Sequence, residues 1–267
     1  MAEFLALDEK DYEEICKQLD ISPKTDFEAT RILSRKLKTR KVKKALKKLP
    51  NILSDKIVLI FGAGPSIIKS IEKLGPFIKK FRNELAIIGI DGATQALIEK
   101  QISSDIVISD LDGGLKTLRD AHNQGSILVI HSHGDNIPKI KRFSSYLKKD
   151  NIIGSTQVNS TQNVINFGGF TDGDRGVFLA AGFPNLMIIL IAFDFGEFVG
   201  RYSKPDYKED IPIPERKEIK FTIAKRLLEK LVELKPSIQL FSFENKIVSI
   251  KSIEKISISE LEEKIAD

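Results

Sequence analysis

Two aspartates one residue apart, Asp110 and Asp112, are the clearest candidates for chemistry in this sequence. They lie in the stretch SDLDGG, directly after the short apolar run DIVI and at a pair of glycines. Carboxylates that crowd together repel each other unless a cation neutralises them, and Mg²⁺ is commonly held by one or two carboxylates together with substrate phosphates. Asp135 and Asp172 lie in two further glycine-containing loops. The pattern therefore predicts a magnesium site formed by Asp110, Asp112, Asp135 and Asp172, and its alternative is an ordinary polar turn after a strand.

Two histidines and an arginine extend this candidate set. His131 and His133, in the stretch HSHGDN, are two of only three histidines in the chain. On an extended chain residues i and i+2 point to the same side, so the two imidazoles should act at one place. They are candidates for hydrogen bonds to a phosphate or a leaving oxygen, for zinc coordination together with an aspartate, or for capping backbone groups at a strand end. Arg175, one turn into a predicted helix, is a candidate for neutralising charge on a transferring phosphoryl group. The predicted catalytic set is Asp110, Asp112, His131, His133 and Arg175.

The stretch FGAGPS, residues 61–66, is a candidate phosphate cradle. Its glycines allow the backbone to approach a ligand, and the N-terminus of a following helix attracts an anion. It is neither a Walker A loop, since no Gly-Lys-Ser/Thr follows, nor a complete G-x-G-x-x-G, since Ile67 occupies the last position. Alone it would favour a methyltransferase or a dehydrogenase, and a tight turn is the structural alternative. The predicted nucleotide contacts in this and the other loops are Gly62, Gly64, Pro65, Ser66, Asp91, Gly92, Gly113, Asn136, Asn166, Thr171 and Asp174.

Most of these candidates lie where a predicted strand ends. From Lys56 onward, short and nearly all-apolar segments alternate with helical segments of about 10 to 15 residues. This alternation predicts an α/β fold with a doubly wound, mostly parallel sheet, Rossmann-like and three-layered. Ligands bind beyond the carboxyl ends of the strands in such sheets, so we expect these loops to converge on one rim.

Three parts of the chain are predicted. Residues 1–52 form an N-terminal helical segment, and residues 53–210 form the α/β catalytic domain. Residues 211–267 form a small C-terminal α+β extension, with one helix and the short strands IQLFSF and KIVSI, that packs on the same domain. After Asp194 comes a polar, Pro-containing segment that is too long for a passive connection and is a candidate lid. It contains Arg201 and Lys204, two weaker candidates for contacting phosphate.

The composition narrows the class of protein. The chain has 267 residues, of which 42% are hydrophobic and 30% charged, as in an ordinary soluble globular protein. The longest apolar stretch, LMIILIAFDF, is too short to cross a membrane and contains Asp194. The single cysteine, Cys16, excludes an internal disulfide framework and a Cys-rich zinc site. The N-terminus is acidic and lacks the basic-then-apolar order of a signal peptide. We therefore expect a cytoplasmic protein without a membrane partner.

One segment is strongly basic. Residues 31–50 contain ten basic residues and no acidic ones. One interpretation is a surface for nucleic acid or anionic lipid. The favoured one is the solvated face of a helix that covers residues 24–49 and ends at Pro50, because no aromatic residues for stacking on bases are interleaved. The predicted buried stripe of this helix is Ile32, Leu33, Leu37, Val42, Ala45 and Leu46. We expect small-molecule substrates rather than nucleic acid as partners, and a homodimer is a candidate assembly.

Several strings occur together in a fixed order: FGAGPS, DGAT, DIVISDLDGG, HSHGDN, NFGGFTDGDR and FDFGEFVGRYSKP. Together they resemble the archaeal 6-hydroxymethyl-7,8-dihydropterin pyrophosphokinase family, from about residue 56 to residue 205. The order of DGA and SDLDG is more distantly similar to the catalytic domain of thiamin pyrophosphokinase, in which an Asp-x-Asp after a strand holds magnesium. That family carries a β-sandwich that holds thiamin. Because little of this sequence follows the predicted helix that ends near Lys235, we do not expect thiamin to be the substrate.

The resemblance implies a reaction and its participants. ATP would be the co-substrate, Mg²⁺ the cofactor, and a reduced hydroxymethylpterin the acceptor of pyrophosphate, with AMP released. The product would feed the biosynthesis of tetrahydromethanopterin or folate-type cofactors. Asn136, Asn166 and Asp194 are candidates for recognising the amino-pyrimidine edge of the pterin. One alternative is another small-molecule pyrophosphokinase, such as thiamin pyrophosphokinase. The other is a Rossmann-type methyltransferase or dehydrogenase, in which Asp91 would bind a ribose, but it gives SDLDGG and HSHGDN no role.

Overall fold

A parallel β-sheet forms the centre of the protein. The computed structural model describes residues 3–244, 250–251 and 253–266. The strands are β1 (Ile57–Phe61), β2 (Leu85–Ile90), β3 (Ile106–Ser109), β4 (Ile127–Ser132), β5 (Ile152–Thr156), β6 (Val164–Ile165), β7 (Met187–Ile191), β8 (Phe198–Val199), β9 (Ile211–Pro212), β10 (Leu240–Phe243) and β11 (Glu254–Ile256). Among the described residues, nine of these strands form one sheet in the order β11-β10-β7-β1-β2-β3-β4-β5-β6, and all neighbours in it are parallel. Strands β8 and β9 form a separate antiparallel pair.

Helices cover both faces of the sheet. They are α1 (Glu9–Leu19), α2 (Pro23–Lys36), α3 (Thr39–Leu46), α4 (Leu49–Leu53), α5 (Ile67–Lys80), α6 (Ala93–Glu99), α7 (Leu115–Asn123), α8 (Ile137–Arg142), α9 (Asp172–Ala181), α10 (Glu215–Leu234) and α11 (Ile258–Ala266). Every residue of β1 is buried, because its alternate side chains face opposite layers. Val58 and Ile60 pack in the core that contains α9 and α10, whereas Leu59 and Phe61 pack in the core that contains α5 and α6. The predicted doubly wound α/β fold is confirmed.

The order of the strands reverses at β1. Strands β2 to β6 follow β1 on one side, and β7, β10 and β11 lie on the other side. In doubly wound sheets the crevice beyond the carboxyl ends of the strands, near such a switch point, is where ligands bind. The loops that follow β1, β2, β3 and β7 meet in this region.

The N-terminal basic segment differs from the predicted single helix. It is divided into α2 and α3 by Leu37, whose backbone is extended with ψ of 150°. Pro50 does not end a helix but lies in the first turn of α4, where proline is well tolerated. The break lets Leu37, only 5% exposed, enter the same core as Leu33 and Val42. The predicted buried stripe is confirmed for four of its six residues, since Ala45 is also fully buried, while Ile32 and Leu46 are partly buried and pack against this core.

The C-terminal part extends the main sheet rather than forming a separate layer. Strand β10 pairs with β7, and β11 pairs with β10. The strand predicted at residues 238–243 is present as β10, two residues shorter, whereas β11 and α11 were not predicted. The predicted strand KIVSI lies, except for Ile250, outside the described residues.

The long segment after Asp194 is ordered and packs across the ligand-binding rim. It contains the β8–β9 pair and a 3-10 turn, Arg201–Ser203. A side chain at Gly92 would place its Cβ 1.7 Å from the carbonyl oxygen of Tyr202, so only glycine permits this close packing. The hydroxyl of Ser203 donates to the carbonyl oxygen of Ala63 at 3.2 Å. None of the described helices is long and apolar enough to cross a membrane.

Candidate active site

Three carboxylates meet at the carboxyl ends of the central strands. Asp91 follows β2, Asp110 follows β3, and Asp172 is the first residue of α9. One oxygen from each lies within 4.8 Å of the oxygens of the other two, and all three residues are partly exposed. We call these three residues the acidic cluster. It contains two of the four predicted metal ligands, together with Asp91, which the sequence analysis assigned to the nucleotide.

The backbone fixes each member of the acidic cluster. Asp91 has a left-handed backbone, with φ of +45°, and its Oδ1 accepts hydrogen bonds from the hydroxyl of Ser109 at 2.5 Å and the N–H of Gly113 at 2.8 Å. The N–H of Asp110 donates to Oδ2 of Asp172 at 3.1 Å. The three carboxylates are therefore held together by hydrogen bonds that do not themselves supply positive charge.

Helix α9 brings Asp172 to this rim by crossing closely over the sheet. A Cβ at Gly176 would lie 2.8 Å from Cδ1 of Ile90 and 3.3 Å from Cδ1 of Ile108. A larger residue would push the helix away from β2 and β3. The position of Asp172 thus depends on a glycine one helical turn along α9.

Mutual repulsion and burial perturb the ionisation of the acidic cluster. Burial, reinforced by the charge of Asp110, raises the pKa of Asp91 to about 7. Burial and the charges of Asp110 and Asp91 likewise raise the pKa of Asp172 well above its ordinary value. Burial also acts on Asp110, but it is outweighed by the hydrogen bond and charge of His133, the N–H of Asp112 and the charge of Lys139, which together lower the pKa of Asp110. Three full negative charges are unfavourable here, and a bound cation would stabilise them.

The two histidines differ in accessibility. Their rings stack, with centroids 5.8 Å apart and an interplanar angle of 26°, as the i, i+2 spacing predicted. His133 is partly exposed, and its Nε2 lies 3.4 Å from Oδ2 of Asp110. His131 is buried, and its Nε2 lies 3.2 Å from Nη2 of Arg175 and 3.3 Å from Oε1 of Gln157. Burial lowers the pKa of His131 well below its ordinary value, so this imidazole is neutral. Only His133 is placed to contact a ligand.

Arg175 does not face the rim. It is fully buried, and its guanidinium donates to the carbonyl oxygens of Thr156 and Gly168 at 3.2 Å and of Phe170 at 2.9 Å. This differs from the predicted contact with a phosphoryl group. The residue instead holds the loop that precedes α9 against the end of β5.

Asp112 and Asp135 lie apart from the acidic cluster. Asp112 forms ion pairs with Lys139 and with Lys204, the latter at 3.3 Å. Leu111, which is buried, has a left-handed backbone with φ of +73°, and this turn separates Asp112 from Asp110. The side chain of Asp135 is 83% exposed. The structure thus differs from the four-aspartate prediction because the backbone turns immediately after each strand.

Four other residues predicted to contact the nucleotide form hydrogen bonds within the loops. The buried amide of Asn136 donates to the carbonyl oxygens of Asp110 at 2.9 Å and His131 at 2.7 Å. The side-chain oxygen of Asn166 accepts from the N–H groups of Leu7 and Gly168. Asp174 forms a capping box with Thr171 at the start of α9. These hydrogen bonds orient the loops of the site.

The carboxylate of Asp194 is hydrogen-bonded to the FGAGPS loop. Asp194 accepts hydrogen bonds from the N–H and the hydroxyl of Ser66, both at 2.7 Å. The N–H groups of Gly62 and Gly64 donate to the carbonyl oxygens of Ile191 and Ala192. Pro65 has no N–H to offer. The carboxylate of Asp194 therefore stands where the predicted phosphate of a dinucleotide would bind, and this arrangement disfavours the methyltransferase and dehydrogenase alternatives.

The sequence analysis missed a buried aspartate behind the histidines. Asp26 on α2 is 1% exposed and accepts hydrogen bonds from the N–H of Gly134 at 2.6 Å, the amide of Gln157 at 2.5 Å and the hydroxyl of Tyr12 at 2.6 Å. It thereby ties the N-terminal helices to the HSHGDN loop. The burial of Asp26 could have been predicted, because residue 26 precedes Thr30, Leu33 and Leu37 at helical spacing and so lies on the buried stripe.

We predict that Asp26→Ala lowers the free energy of unfolding by about 3 kcal/mol, because two buried donors and one partly buried donor lose their acceptor. Asp135→Ala, which removes an exposed carboxylate from the same loop region, should change it by less than about 0.5 kcal/mol. Urea denaturation of the two variants and the wild type measures the difference. Equal stabilities of the two variants would contradict a structural role for Asp26.

Comparison with known proteins places the chain in a family. Residues 32–199 match the family described as 6-hydroxymethylpterin diphosphokinase MptE-like. Three curated proteins named 6-hydroxymethyl-7,8-dihydropterin pyrophosphokinase are similar to this chain. The protein of Methanocaldococcus jannaschii is 46% identical over 190 residues, which are 69% of this chain and 78% of the relative. The protein of Methanothermobacter thermautotrophicus is 42% identical and covers 65% of this chain and 72% of the relative, and that of Pyrococcus furiosus is 36% identical and covers 82% and 90%. The chain therefore belongs to the 6-hydroxymethylpterin diphosphokinase MptE-like family.

Proposed function

We propose that this protein transfers pyrophosphate from ATP to the hydroxymethyl group of 6-hydroxymethyl-7,8-dihydropterin. The hydroxymethyl oxygen forms a bond to the β-phosphorus of ATP. The bond from that phosphorus to the oxygen that bridges to the α-phosphate breaks, AMP leaves with this oxygen and its electron pair, and the hydroxyl proton is released. The three relatives named as pyrophosphokinases support this reaction. The product would be an activated pterin for a tetrahydromethanopterin or folate-type pathway.

The acidic cluster is the observation on which the proposal depends. Its donor set consists of carboxylate oxygens alone, drawn from Asp91, Asp110 and Asp172. Oxygen donors of this kind suit a hard cation such as Mg²⁺ better than they suit zinc. The raised pKa values of Asp91 and Asp172 support the same conclusion, because burial and the repulsion between neighbouring carboxylates raise them, and a bound cation would relieve that repulsion. When bound there, Mg²⁺ would neutralise phosphate oxygens of ATP and of the developing transition state.

The chain's own residues would mainly position the substrates and exclude water. His133 borders the acidic cluster and is the histidine placed to donate a hydrogen bond to a phosphate oxygen. The segment after Asp194 covers the loops that follow β1 and β2, through contacts of Tyr202 and Ser203. Lys204 of this segment also reaches Asp112 across the rim. A covered site suppresses the competing hydrolysis of ATP, which a phosphotransferase must avoid. We propose that this segment opens to admit substrates.

The proposal predicts a specific nucleotide product. Incubation with ATP, Mg²⁺ and 6-hydroxymethyl-7,8-dihydropterin should give AMP and the pterin diphosphate in equal amounts, which chromatography of the nucleotides and pterins measures. EDTA should abolish the reaction, and thiamin in place of the pterin should give no AMP. ADP as the nucleotide product, or AMP formed only with thiamin, would contradict the proposed function.

A further inference from the structure

Lys217, in the first turn of α10, is a cation that the sequence-based predictions did not include. Its side chain is partly buried, and the negative charges of Asp91, Asp172 and Asp110 act on it. Its ammonium nitrogen lies 5.4 Å from the centroid of the Phe221 ring. Within residues 3–244, 250–251 and 253–266, its ammonium group makes neither a hydrogen bond nor a salt bridge. Its charge therefore interacts with those of the acidic cluster, although it forms no ion pair with any of the three carboxylates.

The other cations near the rim are already engaged. Lys139 and Lys204 are paired with Asp112. The guanidinium of Arg175 is used by backbone carbonyl oxygens, and that of Arg201 lies over the ring of Tyr202 at 5.1 Å. Lys217 differs from Lys139 and Lys204 because no carboxylate is paired with it. It differs from Arg175, which is fully buried, and from Arg201, which is exposed, because its own side chain is partly buried.

A row of aromatic rings holds Lys217 in place. Phe221 packs edge-on against Phe195, with centroids 5.3 Å apart and an interplanar angle of 87°. Phe195 in turn packs against Phe193 at 6.0 Å. Phe193 lies under two loops of the site, since a Cβ would approach its ring to 3.1 Å at Gly62 and 2.9 Å at Gly173. The row therefore connects Lys217 both to the loop after β1 and to the start of α9, where Asp172 lies.

A preorganised, unpaired ammonium group is suited to bind an anion. Burial and the nearby charge of Lys220 lower the pKa of Lys217, whereas the three carboxylates raise it. Once a cation occupies the acidic cluster, those carboxylates no longer compensate the charge of Lys217. A polyphosphate at the same rim would then be its natural partner, because lysine serves as a point charge for phosphate.

We propose that Lys217 binds the phosphates of the nucleotide at the edge of the acidic cluster. This inference rests on the proposed function and adds a residue outside the matched residues 32–199. Lys217 and the acidic cluster then act on the same phosphates from different elements of the fold, α10 and the central strands. Its role is to position the phosphates, and the bond changes of the transfer are those given above.

Binding measurements separate this role from a structural one. We would titrate α,β-methylene-ATP, whose α,β bridge resists the transfer reaction, into protein with Mg²⁺ and measure Kd by calorimetry. Lys217→Met keeps the packing against Phe221 but removes the charge, and should weaken binding about 10- to 100-fold. Lys217→Arg should restore part of the affinity. Lys220→Met, which removes a charge one turn along the same helix, is the matched control and should change Kd less than about threefold.

Two further titrations identify what Lys217 contacts. Lys217→Met should weaken the binding of inorganic tripolyphosphate with Mg²⁺ by the same factor as it weakens the binding of α,β-methylene-ATP, because the proposed contact is to phosphate. Mg²⁺ alone should bind the variant as tightly as the wild type or more tightly, since a nearby positive charge has been removed. Unchanged nucleotide affinity in Lys217→Met, an equal loss in Lys220→Met, or weaker binding of Mg²⁺ alone would overturn the proposal. If instead the wild type binds the analogue through Lys217 but forms no AMP from ATP and the pterin, the proposed function fails and the assignment of Lys217 stands.

Discussion

Asp110→Asn is expected to reduce the rate of AMP formation at least about a thousandfold, with little change in stability. Asp110 is the member of the acidic cluster whose pKa lies below the ordinary value, because the hydrogen bond and charge of His133 help to offset the effect of burial. It is therefore the member of the cluster that ionises most readily. Loss of a charge that holds the cation removes several kcal/mol of transition-state stabilisation, and each 1.36 kcal/mol is a factor of ten in rate.

The fold should tolerate this change. The asparagine oxygen can still accept the hydrogen bond from the N–H of Asp112, which Oδ1 of Asp110 accepts at 3.0 Å. The backbone of residue 110 keeps its own hydrogen bonds, to Oδ2 of Asp172 and from the amide of Asn136. Thermal denaturation should therefore show a Tm within a few degrees of the wild type while the AMP assay shows the loss.

Asp112→Asn is the matched control, because Asp112 lies two residues after Asp110 in the same loop. Asp112 pairs with Lys139 and Lys204 and lies outside the acidic cluster, so we expect a loss of only about tenfold, through the segment that covers the site. The two variants change the same chemical group in the same six-residue loop. If Asp112→Asn lost activity and Asp110→Asn retained it, the acidic cluster would not be the cation site, and the site would have to be sought around Lys139 and Lys204.

The sequence predicted the fold and the general location of the site for a common physical reason. Strands buried on both faces must be apolar throughout, as in IVLIF at residues 57–61, so their ends are visible as abrupt changes to glycine and aspartate. Because all parallel strands end at one edge, residues as distant in sequence as Asp91 and Asp110 could be expected on one rim. Asp172 belonged to the same rim because it begins the helix that returns the chain across the sheet.

The details of the site depended on turns that leave no signature in the residue types. The left-handed backbone of Leu111 separates two aspartates that the spacing had placed together. The burial of Arg175 could not be seen, because a basic residue at a helix start is normally exposed and here three carbonyl oxygens surround it. Lys217 is more than forty residues beyond the last predicted catalytic residue, in a helix whose pattern indicates only packing. No local sequence pattern shows which distant element of the fold lies near the site.

The metal-free protein is expected to lose stability as the pH rises from about 4 to about 7. An unfolded aspartate ionises near pH 4, whereas Asp91 in the folded protein has a pKa of about 7, raised by burial and by the charge of Asp110. Between these values the folded state holds more protons than the unfolded state, so the free energy of unfolding falls with increasing pH. Asp172 acts in the same direction, because its pKa is also raised. Asp110 does not oppose them in this window, since its lowered pKa affects stability only below about pH 4.

The size of the effect is set by the crowding of the carboxylates. A pKa raised from 3.8 to about 7 corresponds to at most about 4 kcal/mol for Asp91 at pH 8. Asp91→Asn removes this penalty and preserves the local structure, because asparagine tolerates a φ of +45° and its oxygen can accept from Ser109 and Gly113. The difference in stability between this variant and the wild type cancels the many other groups that titrate over the same range.

Urea denaturation in EDTA at about pH 5, 6, 7 and 8 measures this difference. Asp91→Asn should be close to the wild type at the lowest pH and should become progressively more stable than it as the pH rises. The exposed Asp206→Asn, in the segment after Asp194, should follow the wild type throughout. Mg²⁺ in place of EDTA should stabilise the wild type more at pH 8 than at pH 5, because protons compete with the cation for the acidic cluster. At every pH it should stabilise Asp91→Asn less than it stabilises the wild type. A difference between wild type and Asp91→Asn that stays constant from pH 5 to 8 would mean that Asp91 ionises as an ordinary carboxyl and that the three carboxylates do not repel one another strongly enough to favour a bound cation.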